Sequence, residues 1–367
     1  MGVLSVENVG SHKGDEELRK ILESKKANIK IIGCGGAGNN TISRLMQTGV
    51  VGAETVAINT DAQDLLYTDA DTKLLIGKNI TGGLGAGADP RIGEESAKES
   101  KEEVKKVVQG SDLVFITCGL GGGTGTGSSS VVADISKKVG ALTVGIVTMP
   151  FTMEGKQRSE NARDGLSKLR SAVDTLIVIP NDKLLEIVPD VSITTAFKIA
   201  DEILVNSVKG IAELITRPGL VNLDFADIRA VMRDGGLAMI GIGDSDSENR
   251  AAEAVERALN NPLLDVEIDD SKGALINISG GTDLTIKECH EIVEAVTSKL
   301  NQDAKIIWGA QIMKELGESI RAMIVITGVN SPIVMDSISK VRQKTGGTTT
   351  GATKSSIESI LGIDFVK

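Results

Sequence analysis

Short apolar runs alternate with longer amphipathic stretches along most of the chain. The short runs have the length of strands, and the longer stretches repeat their apolar positions with a helical period. This alternation predicts an α/β protein whose parallel strands are joined by helical crossovers. In the first half of the chain the predicted strands are 28–32, 54–59, 73–76, 113–118, 142–148 and 175–179. The helices predicted there are 39–47, 128–139 and 154–170.

A long helical pattern separates the chain into two domains. It covers 194–215 and is stopped by Arg217-Pro218-Gly219, because proline and glycine cannot continue a helix. The strands predicted beyond it are 237–242, 274–279, 304–307 and 322–327, and the helices are 247–259 and 285–300. The predicted organisation is a polar arm (1–27), a first domain that includes the long helix (28–217), a smaller α/β domain (218–330), a flexible linker (331–355) and a C-terminal peptide (356–367).

The composition excludes several classes of function. Lysine and arginine total 40 and aspartate and glutamate 50, so the net charge of −10 opposes non-specific binding to nucleic acid. Aromatic residues are only 2%, too few for base-stacking platforms. The N-terminus lacks the apolar core of a signal peptide, and no apolar run approaches the roughly 20 residues of a membrane span. We therefore expect a cytoplasmic protein with no direct membrane insertion.

Cysteine and histidine are too scarce for several kinds of site. The chain has three widely spaced cysteines, Cys34, Cys118 and Cys289, which fit neither a disulfide framework nor a zinc site. Its histidines are His12, in the polar arm, and His290, in a helical pattern, so Ser-His-Asp and Cys-His catalysis are not expected. No metal site built from protein side chains is predicted.

The first of three glycine-rich loops is Gly-Cys-Gly-Gly-Ala-Gly-Asn-Asn at 33–40, between a predicted strand and a helix. Small residues let backbone N–H groups approach phosphate, and the helix N-terminus adds partial positive charge. The loop contains the Gly-x-Gly-x-x-Gly pattern of dinucleotide-binding proteins. Such a protein needs an acidic residue at the end of the second strand, and Asn59-Thr60-Asp61 fits this poorly. A tight turn without a ligand is the structural alternative.

The other two glycine loops indicate a long polyphosphate. Residues 121–127 hold five glycines and two threonines, which predicts a wide backbone concavity for a di- or triphosphate. A third loop at 81–88 precedes another helix and is suited to the terminal phosphate. All three loops are expected to follow strands at one sheet edge. The P-loop pattern and Asn-Lys-x-Asp do not occur, so neither a P-loop NTPase nor Ras-like guanine recognition is expected.

These residues resemble the tubulin/FtsZ superfamily, whose phosphate loop matches GGGTGTG at 121–127. The FtsZ branch is indicated by GGAGN at 35–39, NTDAQ at 59–63, EGKQR at 154–158, IPND at 179–182 and NLDFAD at 222–227. The resemblance covers about 29–328 and is closer to archaeal members. It implies a Rossmann-like parallel-sheet GTPase domain, a long central helix and a smaller α/β domain with a mixed sheet.

The resemblance also implies a GTP/GDP site, with Mg²⁺ bound through the phosphates. The residues that it assigns to the nucleotide are Gly35, Gly36, Ala37, Gly38, Asn39, Ala86, Gly87, Gly121, Gly122, Gly123, Thr124, Gly125, Thr126, Gly127, Glu154, Arg158, Asn181, Phe197 and Asp201. Glu154 and Arg158 are expected near the ribose and base. Phe197 and Asp201 are four residues apart, on one helix face, so a ring can stack on guanine while a carboxylate accepts hydrogen bonds from its N1–H and N2–H₂ groups.

The motif Asn222-x-Asp224-x-x-Asp227 has two interpretations. As structure, Asp224 is a helix N-cap with Asp227 in the first turn. The resemblance implies instead that Asp224 and Asp227, assisted by Asn222, orient the water that attacks the γ-phosphate of the next subunit. This predicts a head-to-tail homopolymer, active as a GTPase only when assembled.

The tail carries six apolar residues within 357–366 on a polar linker. It is predicted to be a recognition peptide (356–367) for a membrane-tethering division adaptor, with folding back onto the body as the alternative. The leading hypothesis is therefore a division-ring GTPase at mid-cell under the membrane. The other hypotheses are a tubulin-like paralogue for cell shape and a Rossmann-type dehydrogenase, the latter lacking a catalytic acid or base.

Overall fold

The computed structural model describes residues 27–187, 193–217, 219–221, 223–264 and 271–329. These residues form ten strands in one sheet. The strands are β1 (Ile29–Cys34), β2 (Ala53–Asn59), β3 (Thr72–Leu75), β4 (Leu113–Gly119), β5 (Leu142–Met149), β6 (Thr175–Pro180), β7 (Gly236–Ser245), β8 (Gly273–Gly280), β9 (Lys305–Ile312) and β10 (Ile320–Thr327). The sheet order is β3-β2-β1-β4-β5-β6-β7-β10-β8-β9.

Twelve α-helices lie within the described residues. They are α1 (Gly35–Thr48), α2 (Ala62–Tyr67), α3 (Lys78–Thr81), α4 (Pro90–Glu99), α5 (Lys101–Val108), α6 (Thr124–Lys138), α7 (Lys156–Ala172), α8 (Asn181–Ile187), α9 (Ile193–Thr216), α10 (Phe225–Met232), α11 (Arg250–Leu259) and α12 (Ile286–Thr297). None of these helices is long and apolar enough to cross a membrane.

The sheet has a parallel part and a mixed part, as predicted. Strands β1 to β6 pair in parallel, with β1 between β2 and β4. Three residue pairs join β6 to β7. Beyond them β10 is antiparallel to both β7 and β8, while β8 and β9 are parallel. The strand order reverses at β1, so a crevice for a ligand is expected at the carboxyl ends of β1 and β4.

Both faces of the parallel part are covered by helices. On one face, Ile42 and Leu45 of α1 and Leu204 and Val208 of α9 pack with strand residues such as Phe115. On the other face, α6 and α7 contribute a second buried cluster. Burial on both sides explains why these strands are read as continuous apolar runs.

Several helix boundaries differ from the predictions. Helix α1 begins at Gly35 and α6 at Thr124, both inside the glycine loops. Glycine has a low helix propensity, so the sequence predicted later helix starts. The glycines are present because the two loops approach each other closely. The expectation that all three loops follow strands is wrong for the third, which follows the short helix α3. Helix α11 begins at Arg250 rather than 247, and β9 extends to Ile312 rather than 307.

Candidate functional site

A polar cavity of about 290 Å³ lies at the carboxyl ends of β1, β4 and β5. The glycine loops after β1 and β4 form its floor, and the first turns of α9 form a wall. The residues around it are Cys34, Gly35, Gly36, Ala37, Gly87, Gly119, Leu120, Gly122, Gly123, Thr124, Gly125, Thr148, Pro150, Glu154, Arg158, Asn181, Phe197, Ala200 and Asp201. The cavity thus coincides with the crevice expected from the strand order.

The first glycine loop fits closely against the second. Gly35 has φ of 70°, and a Cβ added there would lie 2.6 Å from the Gly125 nitrogen. Only glycine meets both conditions without strain. Gly38 is buried behind the cavity, where a Cβ would lie 2.6 Å from the carbonyl oxygen of Thr117. The glycines therefore bring the N-termini of α1 and α6 together at one place.

The second glycine loop is held by its own helix and by the third loop. The Gly121 N–H donates to Thr126 Oγ1 at 2.9 Å, and Gly121 has φ of 112°. The Gly123 N–H donates to the carbonyl oxygen of Gly87 at 3.1 Å. Since these bonds fix the loop from two sides, its remaining N–H groups are oriented before any ligand binds.

Asn161 on α7 connects the second and third loops. Its Nδ2 donates to the carbonyl oxygen of Ala88 at 2.9 Å and to that of Gly121 at 3.3 Å. No sequence motif predicts this role, because a single asparagine within an amphipathic helix has no special meaning without the fold. Asn161 holds the two loops at a fixed separation.

Two buried amide oxygens at the site have no hydrogen-bond partner among the described residues. They are Asn39 Oδ1 and Asn181 Oδ1. The Asn39 amide nitrogen donates to Asp64 Oδ2 at 3.2 Å, and that carboxylate also accepts from Asn59 Nδ2 at 2.5 Å. Buried polar atoms are normally paired, so these oxygens fit a ligand that brings donors such as hydroxyl or N–H groups.

The wall of the cavity combines an aromatic ring with charged groups. Phe197 is 41% exposed and packs edge-to-face on Phe151, with ring centroids 5.2 Å apart. Arg158 NH1 lies 2.6 Å from Glu154 Oε2, and Glu154 Oε1 accepts from the Phe151 N–H at 2.9 Å. An exposed ring face beside an ordered ion pair is suited to a planar base and a ribose.

Asp201 is the carboxylate beside that ring. Its side chain is 23% exposed, and its Oδ2 lies 3.6 Å from NH2 of Arg44. Burial raises the pKa of Asp201 above its usual range, and the neighbouring Arg44 opposes that shift. Arg44 is therefore the neighbouring cation that favours the charged form of this carboxylate against the effect of burial.

The predicted nucleotide residues divide into a lining group and a supporting group. Those that line the cavity are Gly35, Gly36, Ala37, Gly87, Gly122, Gly123, Thr124, Gly125, Glu154, Arg158, Asn181, Phe197 and Asp201. Those that lie behind it are Gly38, Asn39, Ala86, Gly121, Thr126 and Gly127. The lining residues that sequence reasoning missed are Cys34, Gly119, Leu120, Thr148, Pro150 and Ala200. Three of these six, Cys34, Gly119 and Leu120, lie in or directly before the glycine loops, so proximity in sequence was the available signal for them.

Asp224 and Asp227 lie at the opposite end of the sheet from the cavity, toward the amino ends of the parallel strands. Both are exposed, and Asp224 is the N-cap of α10, where its N–H donates to Asp227 Oδ2 at 3.3 Å. At the C-terminal end of α10, the carbonyl oxygen of Met232 accepts from the Thr175 hydroxyl, at the amino end of β6. The first two glycine loops leave from the carboxyl ends of β1 and β4, which run parallel to β6. Asn222 lies outside the described residues.

The long helix α9 spans these two ends of the sheet. Phe197 and Asp201 in its first turns line the cavity, whereas Thr216 at its end lies against Gly52, just before β2 begins. With 24 residues, α9 is about 36 Å long at 1.5 Å per residue. One chain therefore cannot bring its own Asp224 and Asp227 to its own cavity without unfolding.

The fold and this cavity define a phosphate-binding α/β protein, and comparison with known proteins gives the family. Residues 28–189 match the profile of the tubulin/FtsZ family GTPase domain, and residues 236–330 match the FtsZ family C-terminal domain. The chain belongs to the tubulin/FtsZ family and is a GTPase. The dehydrogenase hypothesis is thereby excluded.

Archaeal relatives are similar along most of this chain. Cell division protein FtsZ 1 of Methanocaldococcus jannaschii is 61% identical over 330 residues, covering 90% of this chain and 91% of the relative. The protein of that name from Thermococcus kodakarensis is 61% identical over 318 residues, covering 87% and 85%. A solved structure described as an empty FtsZ dimer of M. jannaschii superposes with a TM-score of 0.84 at 61% identity, covering 87% of this chain and 93% of that one. The resemblance to the archaeal branch is confirmed.

Proposed function

We propose that this protein hydrolyses GTP at sites shared between successive copies of a head-to-tail filament that serves cell division. The observation that carries the proposal is the placement of the nucleotide cavity and the Asp224/Asp227 pair at opposite ends of one sheet. In a stack of identical copies, the carboxylates of one copy reach the cavity of the next. The relatives' names, cell division protein FtsZ 1, and the dimer of one of them support this assembly and favour division over cell shape.

In this proposal GTP binds in one orientation, with its phosphates on the glycine loops and its base against α9. The triphosphate lies on the second glycine loop at the N-terminus of α6, where Thr124 contributes a hydroxyl group and the helix dipole favours negative charge. Gly35 to Ala37 approach the phosphates from α1, and Gly87 lies near the γ-phosphate. The base stacks on Phe197 and is read by Asp201, while Glu154 and Arg158 face the ribose. The buried Asn181 oxygen accepts a hydrogen bond from the nucleoside, and the Asn39 oxygen, behind the cavity, accepts one from ordered water.

Hydrolysis is an in-line attack of water on the γ-phosphate. Asp224 and Asp227 of the adjoining copy orient and polarise that water, and the sequence motif assigns Asn222 an assisting role. The backbone N–H groups of the second glycine loop stabilise charge on the phosphate oxygens. Mg²⁺ bound to the phosphates would neutralise part of their charge. A contact between unlike faces does not close on itself, so it propagates as a filament.

The cellular setting extends this proposal. We place the filament in the cytoplasm at the mid-cell division site, under the membrane. The peptide 356–367 connects it to a membrane-tethering adaptor, through a linker that lets the filament and the membrane move separately. Both the linker and the peptide lie outside the described residues. The domain limits 28–217 and 218–330 also stand as predictions.

The experiment that tests the shared site is a GTPase assay over a range of protein concentrations. We expect the rate per molecule to be near zero below a threshold concentration and to rise steeply above it, together with light scattering. A rate per molecule that is independent of concentration would show that one chain contains a complete site. ATP in place of GTP is the control for nucleotide specificity.

A further inference from the structure

We propose that Arg44 is a positioning residue for guanine recognition, acting through the carboxylate of Asp201. This inference rests on the proposed role of Asp201 in reading the base. Arg44 was not singled out by any sequence motif, and it is not among the residues that line the cavity. It therefore acts on the nucleotide through Asp201 rather than by contact.

The two residues meet where helices α1 and α9 pack together. Arg44 lies in the last third of α1, and Asp201 lies in the third turn of α9. Their side chains are 29% and 23% exposed, so both are largely removed from bulk water. Salt screens such a partly buried ion pair less than an exposed one. Helix α1 begins in the first glycine loop, so the helix that carries Arg44 also contributes to the phosphate-binding end of the cavity.

The distance between the two groups suits a positioning role. Arg44 NH2 and Asp201 Oδ2 are 3.6 Å apart, which is longer than a hydrogen bond but close enough for strong Coulomb attraction. Arg44 thus fixes the carboxylate by charge without occupying Oδ2 in a direct hydrogen bond. The oxygens stay available for the two donors on the edge of guanine.

The charge of Asp201 decides which base it accepts. An ionised carboxylate accepts from guanine N1–H and N2–H₂, whereas a protonated one presents an O–H group to a donor. Burial and the adjacent Glu202 on α9 both raise the pKa of Asp201, and Arg44 on α1 lowers it. Removing Arg44 leaves the two effects that favour protonation unopposed. GTP affinity should then fall as the pH decreases through a higher pKa than in the parent protein.

The test measures nucleotide affinity in Arg44→Met and Arg44→Lys, with Arg257→Met as a matched control. Arg257 is an exposed arginine on α11 paired with Glu253, away from the cavity. Dissociation constants for GTP and ATP are obtained by competition with a fluorescent GTP analogue between pH 5.5 and 7.5. We expect Arg44→Met to weaken GTP binding roughly tenfold at pH 7.5, which corresponds to the loss of one charged hydrogen bond between Asp201 and guanine. At pH 5.5 the loss of affinity should be larger. ATP binding should be unchanged.

The lysine variant separates charge from mere packing. Arg44→Lys should restore the pH profile and most of the GTP affinity, because it keeps the positive charge beside the carboxylate. Arg257→Met should match the parent protein. Thermal melting identifies a folded variant, and Arg44→Gln replaces the methionine variant if the latter does not fold. An unchanged GTP to ATP ratio and an unchanged pH profile in a folded Arg44→Met or Arg44→Gln protein would overturn the proposal.

Asp201→Ala, measured in parallel, distinguishes this inference from the proposed function. If Asp201→Ala keeps the preference for GTP, Asp201 does not read the base and the underlying assignment fails. If Asp201→Ala loses that preference while Arg44→Met keeps it, only the role of Arg44 fails. A loss in both, with rescue by lysine, supports both statements.

Discussion

The hydroxyl oxygens of Thr60 and Thr124 lie 2.6 Å apart, joining the end of β2 to the first residue of α6. Thr60 is completely buried, and Thr124 lines the nucleotide cavity. Because a hydroxyl group rotates freely, this bond selects the direction in which the Thr124 hydroxyl points. Thr60 thus orients the hydroxyl group of Thr124 in the phosphate loop, although the two residues are 64 positions apart in sequence.

Thr60→Val should weaken GTP binding while leaving the fold intact. Valine keeps the shape but removes the hydroxyl, so Thr124 loses its partner, at a cost of about 1 kcal/mol or roughly a fivefold rise in Kd. Calorimetric titration with GTP measures the change. Thr297→Val, which makes the same substitution in α12 away from the cavity, should bind GTP like the parent protein. Equal affinities for the two variants would contradict the role of Thr60.

Gly35 and Gly36 should respond differently to alanine. At Gly35 the positive φ and the nearby Gly125 nitrogen make a Cβ unfavourable, with a loss of about 1–2 kcal/mol from the backbone conformation alone. At Gly36 the nearest atom to a Cβ is Asp64 Oδ2 at 3.9 Å, and alanine improves helix propensity by about 0.5–1 kcal/mol. Thermal melting without nucleotide should show a clear decrease for Gly35→Ala and none for Gly36→Ala. Similar decreases in both would contradict the close packing of Gly35 against Gly125.

Asp227→Asn should separate GTP binding from hydrolysis. The amide oxygen can still accept from the Asp224 N–H, so α10 keeps its first turn, but the charge that polarises water is lost. We expect unchanged GTP affinity, hydrolysis slowed about 100-fold or more, and longer-lived filaments. Phosphate release and light scattering measure these quantities, with Asp134→Asn, an exposed carboxylate on α6 paired with Lys138, as the control. A weakened GTP affinity in Asp227→Asn would show that this carboxylate faces its own nucleotide.

Deletion of 356–367 should release filaments from the membrane without affecting the purified protein. The segment before the peptide is rich in glycine and threonine, and in the proposed arrangement such a linker lets the peptide be removed with the loss of few buried contacts. Melting temperature and GTPase rate of the truncated protein, and the position of a fluorescent fusion in cells, are the measurements. A melting temperature lowered by more than about 5 °C, which corresponds to at least 1–2 kcal/mol, would show that the tail packs on the core.

The sequence alone determined the class of fold and the chemistry of the phosphate site. Strands buried on both faces and amphipathic crossovers leave a strong pattern, so the parallel sheet and the central helix α9 were predicted within a few residues. Clustered glycines also indicate phosphate binding without a fold, because few other functions require so many adjacent residues without side chains. The glycines nevertheless concealed the starts of α1 and α6.

Only the tertiary structure decided which residues hold those loops in place and where the second half of the site lies. The contacts of Asn161 with Ala88 and Gly121, of Thr60 with Thr124 and of Arg44 with Asp201 join residues far apart in the chain, and no local pattern encodes them. The opposite placement of Asp224 and the cavity likewise depends on the direction of parallel strands and the length of α9. A sequence pattern records the surroundings that each residue prefers, whereas the distance between two sites is set by how the elements pack.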